Sequence, residues 1–111
     1  MSSVYVINAK NDLDYSGAKE FGTLIPVTYG AVNIYNPTKM IESLETVLKN
    51  FEEGDYLLLS GNCLPVYVSV VYLMQNRPDI LQHNILVYDV RAREYVAHTV
   101  NLEDMTFSSA Q

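Results

Sequence analysis

Ser60-Gly61-Asn62 stand where a short apolar run, Tyr56 to Ser60, turns into a second apolar segment. A hydroxyl, a glycine and an amide in that order suit a turn that opens a helix. The unpaired N–H groups and positive dipole end of such a helix attract anions. In open α/β sheets this place, the carboxyl edge of the strands, is also where small ligands usually bind. Asn8, Lys10 and Asn11 leave the first expected strand at that edge, and Arg91 and Arg93 leave the fourth. Asn8, Lys10, Asn11, Ser60, Gly61, Asn62, Arg91 and Arg93 therefore form a candidate set for a phosphate or a nucleotide. Arginine suits it because its planar fork pairs with phosphate oxygens. A plainer explanation competes: Gly61 and Asn62 are good turn and capping residues with or without a ligand. A charged hairpin tip, Arg91 to Glu94, also serves simply to stay solvated.

Other chemistries find less support. No Gly-x-x-x-x-Gly-Lys-Ser/Thr and no Gly-x-Gly-x-x-Gly occurs in the chain, which argues against the usual nucleotide-hydrolysing and dinucleotide-binding loops. Cys63 stands at the start of the expected helix, but a nucleophilic cysteine needs a base. Of the two histidines, His83 belongs at the amino end of the fourth strand and His98 in the middle of the returning one. Neither is placed to reach Cys63. One cysteine and two distant histidines do not make a zinc set. Asp12 and Asp14 fit a turn better than a cation grip, and Asp55 and Asp89 make no carboxylate pair fit for acid–base work. No cofactor and no metal are expected, and the balance leans away from an enzyme.

The elements that must position these groups follow from periodicity and punctuation. Val4 to Asn8 is a β-rich run, and Tyr15 to Phe21 has room for one helical turn. Thr23 to Tyr29 is a strand whose Pro26 lacks an N–H and so belongs away from the sheet centre. Met40, Ile41, Leu44, Val47, Leu48 and Phe51 recur at helical spacing, with Asn36 as cap, Pro37 in the first position and Gly54 as the left-handed exit. Leu64 to Asn76 is ambiguous. Its valines favour a strand, whereas its length, Pro65 and the Asn76-Arg77-Pro78 stop favour a helix, which is the expectation. Ile85 to Val90 and Tyr95 to Leu102 make a hairpin, and residues 103–111 read as a frayed tail. The result is a single α/β domain spanning 1–111. It is expected as a small Rossmann-like layered domain of about five strands, mainly parallel, with a C-terminal antiparallel hairpin and two main helices.

With 13 acidic and 7 basic residues in 111, the formal charge is −6, which disfavours duplex nucleic acid as a partner. One cysteine excludes an internal disulfide and fits a reducing compartment. The first residues lack a signal-peptide pattern, and the longest apolar region, Cys63 to Met74, is interrupted and too short to span a bilayer. Cytoplasm, with no membrane partner, is the expectation. Nine tyrosines without a tryptophan are a surplus that fits an interface. The favoured explanation is plainer, with Tyr5, Tyr29, Tyr56, Tyr88 and Tyr95 as sheet residues.

Three stretches carry a resemblance: Asn-Asp-Leu-Asp-Tyr-Ser-Gly-Ala-Lys-Glu-Phe-Gly (11–22), Gly-Asp-Tyr-Leu-Leu-Leu-Ser-Gly-Asn (54–62) and Leu-Val-Tyr-Asp-Val-Arg-Ala-Arg-Glu-Tyr (86–95). Their spacing resembles that of small uncharacterised proteins of tailed bacteriophages, which implies an accessory protein in the cytoplasm of an infected host and transfers no catalytic residue. The leading expectation is a non-enzymatic accessory protein that acts by protein binding and self-association. Its partner is a further copy of itself, as a homo-oligomer, or a host protein. A small nucleotide- or phosphate-binding, sequestering domain is the alternative, and a minor virion component the next.

Overall fold

Val4 to Asn8 are buried without a break, as expected of a strand covered on both faces. They form the middle of β1 (Ser3–Ala9) in a computed structural model that describes residues 2–10 and 13–109. The other strands are β2 (Thr23–Tyr29), β3 (Tyr56–Leu58), β4 (Gln82–Asp89), β5 (Glu94–Asn101) and β6 (Thr106–Ser109). Two α-helices, α1 (Thr38–Leu48) and α2 (Cys63–Asn76), and a 3₁₀ segment, Ser16–Phe21, connect them. The six strands lie in the order β2-β1-β3-β4-β5-β6. The first four in that order are mutually parallel, and β5 and β6 are antiparallel additions.

The strand order reverses at β1, with β2 on one side and β3 on the other. Crossovers of one hand must change face when they change direction. Accordingly the 3₁₀ segment covers one face, where Ala18 packs with Val4, Val6, Leu58, Leu86 and Ala97. Both α-helices cover the opposite face, where Leu44, Leu48 and Leu73 pack on Tyr5, Ile7, Val27 and Leu57. The mixed α/β class is as expected. The Rossmann-like layering is not confirmed: one face carries two α-helices and the other only the six-residue 3₁₀ segment.

The sequence expectations need three corrections. The strand count is six, because Thr106–Ser109 pairs with β5 instead of fraying. Alternation is hard to recognise in so short and polar a segment. Second, α1 begins after Pro37, with Asn36 accepting a hydrogen bond from Thr38 Oγ1 at 3.0 Å, and ends at Leu48. Phe51 keeps the helical spacing because a tight turn, closed by Phe51 N–H to Leu48 O at 3.0 Å, returns its ring to the core. Gly54, at φ 95°, therefore serves the turn before Asp55 and not the helix end. Third, β3 stops at Leu58, where Ser60 turns its hydroxyl to β1.

The edge position of β2 agrees with its proline. Residues Cys63–Asn76 are helical, as length and stop signal predict. Asn62 caps that helix by accepting the Leu64 N–H at 2.8 Å. Asp55 ties the amino edge of the sheet, accepting Ser3 N–H and Glu52 N–H at 2.9 Å each.

Candidate functional site

The carboxyl ends of β1 and β3 flank the point where strand order reverses, the usual ligand crevice of an open α/β sheet. Here it is filled by Asn8, which has no exposed surface. Its Oδ1 accepts the Asn62 N–H at 2.9 Å, and its Nδ2 donates to Thr28 Oγ1 at 3.2 Å and Gly30 O at 3.0 Å. Thr28 in turn donates to Ile7 O at 2.7 Å, and Ser60 Oγ donates to Asn8 O at 3.1 Å. Gly61, at φ 73°, lies so close that a Cβ there would meet Asn8 Cβ and Cγ at 2.6 Å. Asn8, Ser60, Gly61 and Asn62 are thus brought together, as a lock that joins β1, β2 and the start of α2.

The remaining candidates lie apart from that lock. Lys10 is exposed, and its backbone N–H donates to Tyr15 Oη at 3.0 Å. Asn11, and Asp12 with it, lie outside the described residues. Arg91 is at the exposed hairpin tip, its N–H held by Asp89 Oδ1 at 3.0 Å. Arg93, at φ 56°, borders a depression of about 420 Å³ together with three carboxylates, Asp14, Glu20 and Glu94. His83 is buried in β4, and Cys63 is exposed. No group of three or more His, Cys, Asp or Glu able to hold a metal occurs among the described residues.

A cavity of about 340 Å³ opens beside the lock, where the chain enters the 3₁₀ segment at Leu13 to Tyr15. Leu58 and Leu59 line it, with Tyr15, Tyr88 and Tyr95 around them and Leu13, Asp14, Ser60 and Gly61 completing it. Tyr88 and Tyr95 face each other across the hairpin, with ring centres 5.0 Å apart and planes tilted by 60°. Tyr15 is held by its hydroxyl, which donates to Asn8 O at 3.4 Å. Burial, then the neighbouring Tyr15, Tyr88 and Asp14, push the Tyr95 hydroxyl pKa up, so it stays a neutral phenol. Hydrogen bonds from Ser16 hold the Asp14 carboxyl below its usual value, so it stays ionised. Sequence reasoning passed over this cavity. Its signal was the tyrosine surplus, read as strand composition until the hairpin register set Tyr88 opposite Tyr95. A larger dip of about 840 Å³ lies on the β2 side of Asn8, between the chain after β2 and the start of α1; its charged residues, Lys39 and Glu42, offset each other.

The second unusual surface belongs to α2. Pro65, Ser69 and Leu73 face the core, while Tyr67, Val71 and Met74 point outward with exposures of 69%, 40% and 53%. No residue from Cys63 to Asn76 is charged. Helix α1 packs mainly on β2 and α2 mainly on β1, so on the same face the cover thins past β4, whose Ile85 and His83 are still covered. Ile85 belongs to the helix-side core, so alternation puts Val87 on that face. Register then adds Val96, His98 and Val100 of β5 and Phe107 of β6. All five are at least partly exposed, and Phe107 is 64% exposed. An apolar helix and an apolar half-sheet therefore adjoin on one side of the molecule.

A family model described as Phage Pam3 gp32-like protein matches residues 2–102. The chain belongs to that family. The match bears out the resemblance to small phage proteins carried by the stretches at 11–22, 54–62 and 86–95. No curated protein and no solved structure matches the chain. No described helix is long and apolar enough to cross a membrane.

Proposed function

We propose that this phage protein is a non-enzymatic accessory protein that works by protein binding, with self-association through α2 and the open half-sheet as its functional state. The observation that carries the reading is α2 itself. A helix apolar all round belongs in an interior, yet this one turns Tyr67, Val71 and Met74 to solvent. The second copy is favoured as occupant because the surface is self-complementary. One half of this face carries a helix layer and the adjoining half lacks one. A two-fold axis between the halves lays each copy's α2 on the partner's bare strands, an isologous contact. At about 1.5 Å per residue α2 is roughly 21 Å long. Beside it β5, β6 and the Val87 end of β4, in strands about 4.8 Å apart, open a face of comparable length. Together they offer on the order of 600 Å² before side-chain relief, close to the roughly 800 Å² per partner of a specific complex. Charge agrees as well. Two copies of net charge −6 meet with least repulsion through a face whose helix carries no charge.

Light scattering coupled to size exclusion tests this. The expected particle has twice the 12.5 kDa chain mass. Tyr67→Glu with Met74→Glu, both at exposed positions, should return it to a folded monomer. A wild-type chain that stays monomeric at high concentration overturns the reading. The phosphate- or nucleotide-sequestering alternative has less behind it. Asn8 spends its amide within the fold, and no Lys or Arg lines the cavity beside Ser60 and Gly61 among the described residues.

A further inference from the structure

The cavity beside the Asn8 lock has a chemistry that neither self-association nor phosphate binding uses. Its lining includes three tyrosines and the buried Leu58, and its one charged group among the described residues is the carboxylate of Asp14. A volume of about 340 Å³ falls at the small end of ligand sites. Anions are disfavoured there by charge. Glu20 and Glu94 border the adjoining depression, which shares Asp14, Tyr88 and Tyr95 with the cavity and holds Arg93 as its only cation among the described residues. The whole chain adds a field of net charge −6. Tyrosine rings beside a carboxylate, with leucines in the same lining, suit a positive charge dressed in methyl or methylene groups.

We propose that this cavity is a binding site for an organic ammonium ion, seated against Tyr15, Tyr88 and Tyr95 with Asp14 as its counter-charge. The parts are held in place before any ligand arrives. Tyr15 is anchored through its hydroxyl to Asn8 O and the Lys10 N–H. Tyr95 is nearly buried and packs against Tyr88. The Asp14 carboxyl is oriented by the Ser16 N–H at 2.9 Å. Tyr88 is 44% exposed and Leu13 50% exposed, so the entrance lies on their side. The site shares no residue with the α2 surface, so it stands or falls independently of self-association.

Choline and its uncharged carbon isostere, 3,3-dimethylbutanol, are the decisive probes, titrated against the full-length protein and followed by backbone amide shifts. Choline should move the amides of Leu13 to Ser16, Ser60, Gly61 and Tyr88, and the isostere should bind about tenfold more weakly. Asp14→Asn keeps the oxygen that accepts Ser16 N–H and removes the charge. Tyr88→Leu keeps apolar bulk and removes the ring. Each should weaken choline by about tenfold, while Tyr29→Leu, on the edge strand, should leave it unchanged. A trimethyllysine peptide run beside choline tells an ammonium carried on a chain from a free one, the tighter binder naming the source. Equal affinity for choline and the isostere overturns the proposal, as does the absence of any shift at millimolar choline. Wild-type affinity in folded Asp14→Asn and Tyr88→Leu also overturns it.

Discussion

Asn8 is neutral, buried and bonded on three sides, and it occupies the space that a ligand takes in other open sheets. Replacing it by alanine removes three hydrogen bonds and leaves the Asn62 N–H and Gly30 O without that partner. At roughly 1 kcal/mol for each bond and more for a stranded buried group, Asn8→Ala should cost about 3 kcal/mol. The urea midpoint measures it, and an unchanged midpoint would mean that water replaces the side chain at no cost. His83 supplies a pH-dependent counterpart. It is buried with no partner for Nε2, and desolvation lowers its pKa below 6.5, so the folded protein holds the ring neutral. Between that lowered value and 6.5 the unfolded chain binds a proton that the folded one does not. Stability therefore rises with pH across this window, is complete above it and is lost as pH falls through it. Urea midpoints at neutrality and near about pH 5 should differ more for the wild type than for His83→Leu. Equal differences would show that carboxylates alone carry the acid sensitivity.

At the scale of elements, the turn between β3 and α2 couples backbone conformation to packing. Gly61 takes φ 73°, and its missing Cβ leaves room for Asn8. A left-handed residue costs roughly 1–2 kcal/mol, and overlap with Asn8 should bring Gly61→Ala to about 3 kcal/mol. Adding Asn8→Ala removes the Oδ1 and Cγ part of the overlap and leaves the Cβ at 2.6 Å, so the double variant should be only somewhat more stable than the sum of the single costs implies. Strict additivity in urea titrations would separate the two residues. This same turn was legible in the sequence, since Ser-Gly-Asn after an apolar run has few other uses. Pro26 likewise marked an edge strand and Asn76-Arg77-Pro78 a helix stop. The position of the turn was legible, but its role was not. A side chain fifty-four positions away in sequence, Asn8 against Asn62, satisfies the helix start, and local pattern carries no trace of such a pairing. The end of α1 was misplaced for a related reason: Phe51 keeps helical spacing through a tertiary contact. Strand β6 is held by pairing with β5 and hardly by its own composition.

For the whole molecule, the surface that is apolar and the charge that is excessive pull in opposite directions. Acidic residues crowd the outer side of α1 and the turn after it, with Glu42 and Glu45 on the helix and Glu52 and Glu53 beyond it all exposed, whereas α2 and the open half-sheet carry almost none. If association uses the uncharged face, no attractive ion pair holds the two copies together, and the remaining long-range term is repulsion between net charges of −6. Salt shortens the range of that repulsion, from roughly 30 Å at 0.01 M to roughly 8 Å at 0.15 M. The dimer should therefore tighten as sodium chloride is raised across that interval, by several-fold in sedimentation equilibrium. An interface built on the arginines of the 91–94 hairpin against the acidic face of α1 would loosen instead, because salt screens attraction equally well. Thermal unfolding should report the same linkage, with a midpoint that climbs with protein concentration only if folding and association are coupled. In Tyr67→Glu with Met74→Glu that climb should vanish while the melting curve stays cooperative. A concentration-dependent midpoint surviving in this variant would place the contact elsewhere on the molecule.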